Sequence, residues 1–128
     1  MHEQDLPALY QAYIACLNRQ DWASLDQHVT PDVVHNGRRI GLSGYREMLE
    51  RDFHDIPDLQ FCIEFLTCEA PRVAARLQFN CSPRGLFLGL PVNGRRVSFS
   101  ENVFYVFHEG RIAEVWSVID KAALERQL

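Results

Sequence analysis

The sequence predicts an α+β domain in which helices come first and an antiparallel sheet follows. Two observations carry the prediction. Apolar residues recur at helical spacing through the first segments, and from Leu59 onward the chain turns to β-branched and aromatic runs separated by hairpin signals. The size agrees: 128 residues, 47% hydrophobic and 23% charged, describe one folded unit spanning 1–128 with enough apolar material for a sizeable core.

The first helix is expected from about Gln4 to Asn18, where Leu6, Leu9, Tyr10, Tyr13, Ile14 and Leu17 form one stripe. A short helix over Trp22–His28 follows, with Trp22 as its core anchor, and Thr30-Pro31-Asp32 breaks it before the extended Val33-Val34-His35. A third helix starts at Ser43, carries Tyr45, Met48, Leu49 and Phe53 on one face, and stops before Pro57. Strands are then expected at 59–68, 72–82, 96–108 and 111–119. Ala70-Pro71 and Glu109-Gly110 supply hairpin turns, Gly85 to Gly94 a longer connection, and Lys121 to Leu128 a terminal helical turn.

Composition excludes several functions. The net charge of −4 leaves no overall electrostatic footprint for a phosphate backbone, so nucleic acid is not an expected partner. The N-terminus lacks the basic start and apolar stretch of a signal peptide, and nowhere do about 18 apolar residues run together, so the expectation is a cytoplasmic protein that does not enter membranes. Cys16, Cys62, Cys68 and Cys81 form no CxxC pair and have no histidine at zinc-finger spacing, so no metal site is expected.

A two-residue turn at Glu109-Gly110 sets His108 opposite Arg111. Continued without interruption, that register pairs Tyr105 with Glu114, Val103 with Trp116, Glu101 with Val118 and Phe99 with Asp120, all on one face. Trp116, Tyr105, Val103 and Phe99 are then expected to wall an apolar cavity for a small ligand, with Glu101 as a polar group in it. Carboxylates among apolar neighbours have raised pKa values, which suits proton transfer near neutral pH. The same register puts Phe104, Val106, Val115 and Ile119 on the outer face, a patch that predicts a homodimer. By spacing alone Asp120 reads as the N-cap of the last helix, and His35 as an ordinary hydrogen-bonded histidine.

Taken in order, Asp21-Trp22-Ala23-Ser24-Leu25, Pro31-Asp32-Val33-Val34-His35-Asn36-Gly37, Gly85-Leu86-Phe87-Leu88-Gly89-Leu90-Pro91 with Asn93-Gly94-Arg95-Arg96-Val97, and Gly110-Arg111-Ile112-Ala113-Glu114-Val115-Trp116 with Asp120 are distinctive. Together they make nearly the whole chain resemble the SnoaL-like polyketide cyclases, or ester cyclases, of the nuclear-transport-factor-like superfamily. The resemblance implies a curved antiparallel sheet wrapped against N-terminal helices as a cone, and dimers formed through the sheet's outer face. It also implies ring closure of a polyketide ester by intramolecular aldol condensation, with no cofactor. On this resemblance Asp120 takes the catalytic acid/base position and His35 a pocket position beside it. One motif departs: where the family usually has Gly-Thr-His, this chain reads Cys81-Ser82-Pro83, so Pro83 replaces a histidine with a side chain that cannot relay a proton.

Three functions stay open at the level of sequence. The first is a cofactor-free lyase or isomerase acting on a small apolar carbonyl compound, with Asp120 and His35 catalytic. The second is a binding protein with the same pocket, which Pro83 favours. The third is an interaction module with a filled cone that works through its outer face.

Overall fold

The computed structural model describes residues 5–128, so the first residues of the expected helix at Gln4 lie outside the described part. Helix α1 (Leu6–Asn18) is capped by Asp5, whose side chain accepts from the Ala8 backbone N–H at 3.2 Å. It buries Leu6, Tyr10, Tyr13, Ile14, Cys16 and Leu17, the stripe its spacing predicts. A 3-10 helix (Trp22–Gln27) leads into β1 (Val29–His35), which is longer than the extended stretch expected from sequence. A tight turn at Asn36-Gly37 adds the two-residue β2 (Arg38–Arg39) before α2 (Gly41–Asp55). That helix starts two residues ahead of Ser43 and has no side-chain cap.

Four long strands follow: β3 (Cys62–Glu69), β4 (Arg72–Cys81), β7 (Val97–His108) and β8 (Arg111–Ile119), with the small hairpin β5 (Leu86–Phe87) and β6 (Leu90–Pro91) in the connection. Helix α3 (Lys121–Glu125) ends the described fold. The main sheet runs in the order β2-β1-β8-β7-β4-β3, antiparallel except where β1 lies parallel to β8. That parallel pair joins β8 to a strand from the helical half, with the short β2 beyond it at the edge. No helix among the described residues is long and apolar enough to cross a membrane.

One departure from the expected register reorganises the face. The β7–β8 hairpin turns at Glu109 and Gly110, both at positive φ, and pairs His108 with Arg111 and Phe107 with Ile112 as predicted. A bulge then leaves Ala113 without an opposite residue, and Val106 pairs with Glu114, Phe104 with Trp116, Val103 with Ser117 and Glu101 with Ile119. Because side chains alternate, a one-residue slip moves every later β8 side chain to the opposite face. Trp116, expected in the cavity wall, therefore lies outside: it is 45% exposed, and its ring passes close to Gly37. Val115 and Ile119, expected outside, turn inward.

The core sits between the inner sheet face and α1 and α2. Val73, Leu77, Val103, Tyr105, Ile112 and Val115 come from the sheet to meet Tyr10, Tyr13, Tyr45 and Leu49 from the helices. Outside, α3 covers the start of β7: Leu124 is fully buried and Ser100 nearly so. Beyond α3, Phe65, Phe104, Trp116 and Val118 remain exposed on the outer face.

Candidate functional site

Between α2 and the inner sheet face lies a cavity of ≈ 420 Å³, walled mainly by Tyr13, Tyr45, Leu77, Val103, Tyr105 and Val115. Its polar groups are His35, Asn36, Asp52, Glu101, Ser117 and Lys121. A smaller space of ≈ 70 Å³ adjoins it, enclosed by Phe61, Phe79, Phe87 and Phe99. Asp52, Phe61, Glu101 and Ile119 border both spaces, so the two carboxyl groups stand at their junction.

The expected wall residues divide accordingly. Tyr105, Val103 and Glu101 line the large space, Phe99 lines the small one, and Trp116 lines neither. Tyr10 and Tyr13 fill the narrow end against Tyr105, with the Tyr10 and Tyr105 ring centroids 4.9 Å apart, but they leave the wider end of the cone open. Phe53, the other candidate plug, packs with Trp22 and Phe61 instead.

Glu101 is held from below by Ser117, whose hydroxyl donates to Glu101 Oε2 in a short hydrogen bond. The bulge makes this contact possible, since it brings Ser117 inward beside the β7 side chains. Asn36 fixes Ser117 in turn. It accepts the Ser117 backbone N–H at 2.8 Å through Oδ1 and donates from Nδ2 to the Ser117 carbonyl at 3.3 Å, extending the β1–β8 ladder with a side chain. The positive φ of 48° at Asn36 suits an asparagine, which tolerates the left-handed region.

Burial dominates the electrostatics. Desolvation raises the pKa of Glu101, with the Ser117 hydrogen bond opposing the shift. Desolvation also raises Asp52 from 3.8 to about 7, with the nearby negative charge of Glu101 adding to it and Arg51 opposing it. Burial lowers the pKa of His35 and so favours a neutral imidazole. The Tyr13 and Tyr45 hydroxyls lie 2.6 Å apart, and burial pushes both phenols up, so they remain proton-bearing donors. Of their two O–H protons the mutual bond uses one, which leaves the other free to point at a ligand. Among the described residues, no three His, Cys, Asp or Glu side chains are grouped to hold a metal ion.

Asp120 takes the position its spacing suggests. Its Oδ1 accepts the Ala123 backbone N–H at 3.1 Å as the N-cap of α3, and it is absent from the lining of both spaces. The bulge is again the cause: Asp120 comes to lie beside Ser100, with its N–H donating to the Ser100 carbonyl, instead of facing Phe99. Pro83 is buried in the connection before β5 and lines neither space. The site residue that sequence reading missed is Asp52. It follows Arg51 on a charged stretch of α2, and no motif distinguishes it from Glu47 or Glu50 on the same helix.

A curved, mostly antiparallel sheet wrapped on helices around a polar-floored cavity defines a cone-type α+β protein. The sequence pattern of the SnoaL-like polyketide cyclases matches residues 8–128, and the chain belongs to that family. A SnoaL-like polyketide cyclase from Agrobacterium tumefaciens is 54% identical and superposes with a TM-score of 0.96, each chain being covered to 98%. TsrD from Streptomyces laurentii is 28% identical with a TM-score of 0.83, the alignment covering 98% of this chain and 97% of TsrD. AclR from Streptomyces galilaeus is also 28% identical, with a TM-score of 0.76 and coverage of 94% and 92%. Among curated proteins none matches the chain significantly.

Two predictions follow from this geometry. If Asp120 acts as a cap, Asp120→Asn should leave stability almost unchanged and Asp120→Ala should cost about 1 kcal/mol in urea denaturation. For Asp52, a folded-state pKa of about 7 against 3.8 means that its contribution is fully present below pH 4 and is lost as pH rises through 7. Asp52→Asn should therefore flatten the fall in the urea midpoint between pH 4 and pH 7, and an unchanged slope would contradict the burial of this carboxyl.

Proposed function

We propose that this chain is a cofactor-free acid/base catalyst that closes a ring in a small, largely apolar carbonyl compound of polyketide type. The observation supporting this most is the meeting of Asp52 and Glu101, two carboxyl groups with raised pKa values, in an apolar-walled cavity of ligand size. In this reading Ser117 stabilises the Glu101 carboxylate, and burial together with the Glu101 charge keeps Asp52 protonated toward neutral pH. The pair thus holds one base and one acid at once.

In the reaction, the Glu101 carboxylate removes a proton from the carbon beside a carbonyl, and the C–H electron pair delocalises into an enolate. The free hydroxyl proton of the Tyr13–Tyr45 pair and neutral His35 are placed to hydrogen-bond the enolate oxygen. The enolate carbon then attacks a second carbonyl of the same molecule. As the new C–C bond forms, the electron pair of that C=O bond moves to its oxygen, which takes the proton of Asp52. Transfer of the captured proton from Glu101 to Asp52 restores the starting state. In this scheme Asp120 shapes the wall by holding Ile119 and Lys121 where they line the cavity, and Pro83 is no obstacle because no step uses its position.

Exchange of the α-protons of α-tetralone in deuterated buffer, followed by proton NMR, tests the first half of the cycle. Glu101→Gln should slow enzyme-dependent exchange by roughly 10²–10⁴-fold, whereas Asp120→Asn should leave it near the wild-type rate. The proton of Asp52 is used only after the enolate has formed, so Asp52→Asn should leave exchange near the wild-type rate while abolishing ring closure of any identified substrate. Exchange unaffected by Glu101→Gln would sink the assignment.

We also propose a homodimer through the outer face, using Phe104 of the patch predicted from sequence together with Phe65, Trp116 and Val118. Sedimentation at micromolar concentration should give twice the 14.8 kDa chain mass, and Phe104→Asp should give the monomer. A monomeric wild-type protein would refute the dimer.

A further inference from the structure

A second open space of ≈ 410 Å³ adjoins the cavity on its solvent side. The two share His35, Asn36 and Met48 in their walls, so this vestibule meets the cavity at those three residues. The character of the wall changes there. In place of aromatic rings it presents Arg38 and Arg51, with Glu47 as the acidic group facing the same space.

The two arginines come from different elements. Arg38 lies on β2 directly opposite His35, and Arg51 lies on α2 one residue before Asp52. Among the described residues neither guanidinium makes a hydrogen bond or an ion pair, although Arg76 and Arg46 elsewhere on the surface have carboxylate partners. Lys121 adds a third cation to the lining of the cavity itself. In a chain of net charge −4, this is a local excess of positive charge beside the open side of the cavity.

We propose that the vestibule is a subsite for an anionic group, so that the ligand is an amphipathic carbonyl compound whose apolar body fills the cavity and whose carboxylate or phosphate end is held by Arg38 and Arg51. This rests on the cavity reading above and narrows its substrate class. Guanidinium groups suit either end, because each offers a planar fork of donors to paired oxygens. Recognition at the mouth also fixes which end of the compound enters first, and so which carbonyl reaches Glu101.

The test uses a matched pair of fluorescent probes: 1-anilinonaphthalene-8-sulfonate, which carries an aromatic body and an anion, and N-phenyl-1-naphthylamine, which lacks the sulfonate. The sulfonate probe should bind more tightly. The double variant R38Q/R51Q should weaken it roughly tenfold, as should 0.5 M NaCl, while the neutral probe changes less than twofold under both. Met48→Trp, which plugs the shared throat, should weaken both and so locate them inside. Displacement of the sulfonate probe by 1-naphthoate and by 1-naphthyl phosphate then distinguishes the two anion sources, the preferred one losing its advantage in R38Q/R51Q. Binding of both probes with no dependence on the arginines overturns the anion subsite and leaves the cavity reading standing. Failure of both to bind overturns the cavity reading and the subsite together.

Discussion

The extra residue at Ala113 decides which side of β8 faces the helices, and the site depends on that choice. Before the bulge, Ile112 is a wholly buried core residue; after it, Val115, Ser117 and Ile119 take the inner face. Without the slip Glu114, Trp116 and Val118 would point into the cone, and a space bordered by three such side chains could not hold the Ser117–Glu101 contact. A bulge commonly re-aims a side chain next to a functional site. Here it delivers a hydroxyl to a buried carboxylate and sends a tryptophan outside.

Around that contact the fold arranges supports that reach across the molecule. Asn36 ties the end of β1 to Ser117 through its side chain, so the parallel strand and the cavity floor beside Glu101 are coupled. His35 precedes Asn36 and pairs with Val115, which gives the imidazole its place at the cavity by the same geometry. From the opposite side, α2 contributes Tyr45, Met48, Leu49 and Asp52 to the lining, residues spaced so that one helical face meets the cavity along its length. The carboxyl pair is therefore assembled from a strand and a helix that make no pattern together in the sequence.

The surroundings of the pair set its chemistry. Apolar walls raise both carboxyl pKa values, and the hydroxyl beside Glu101 opposes the rise there. A tyrosine cluster at the narrow end supplies proton-bearing hydroxyls without adding charge. At the open end, arginines replace aromatic rings. The gradient from apolar apex to charged mouth is one a compound with an apolar body and a polar end would follow.

The sequence by itself determined the α+β class, the three helices, the four long strands, the Glu109-Gly110 turn and the family, because helical spacing, β-branched runs and turn residues are local signals. It also placed Glu101, Val103 and Tyr105 on the inner face, since alternation along β7 needs no partner to be read. Tertiary structure decided the rest. A single unpaired residue has no signature of its own, yet it reversed the facing of Trp116, Val115 and Ile119 and moved Asp120 from opposite Phe99 to beside Ser100. Asp52 looked like any other charge on a helix, and only the packing of α2 over the sheet buries it near Glu101 and raises its pKa to about 7.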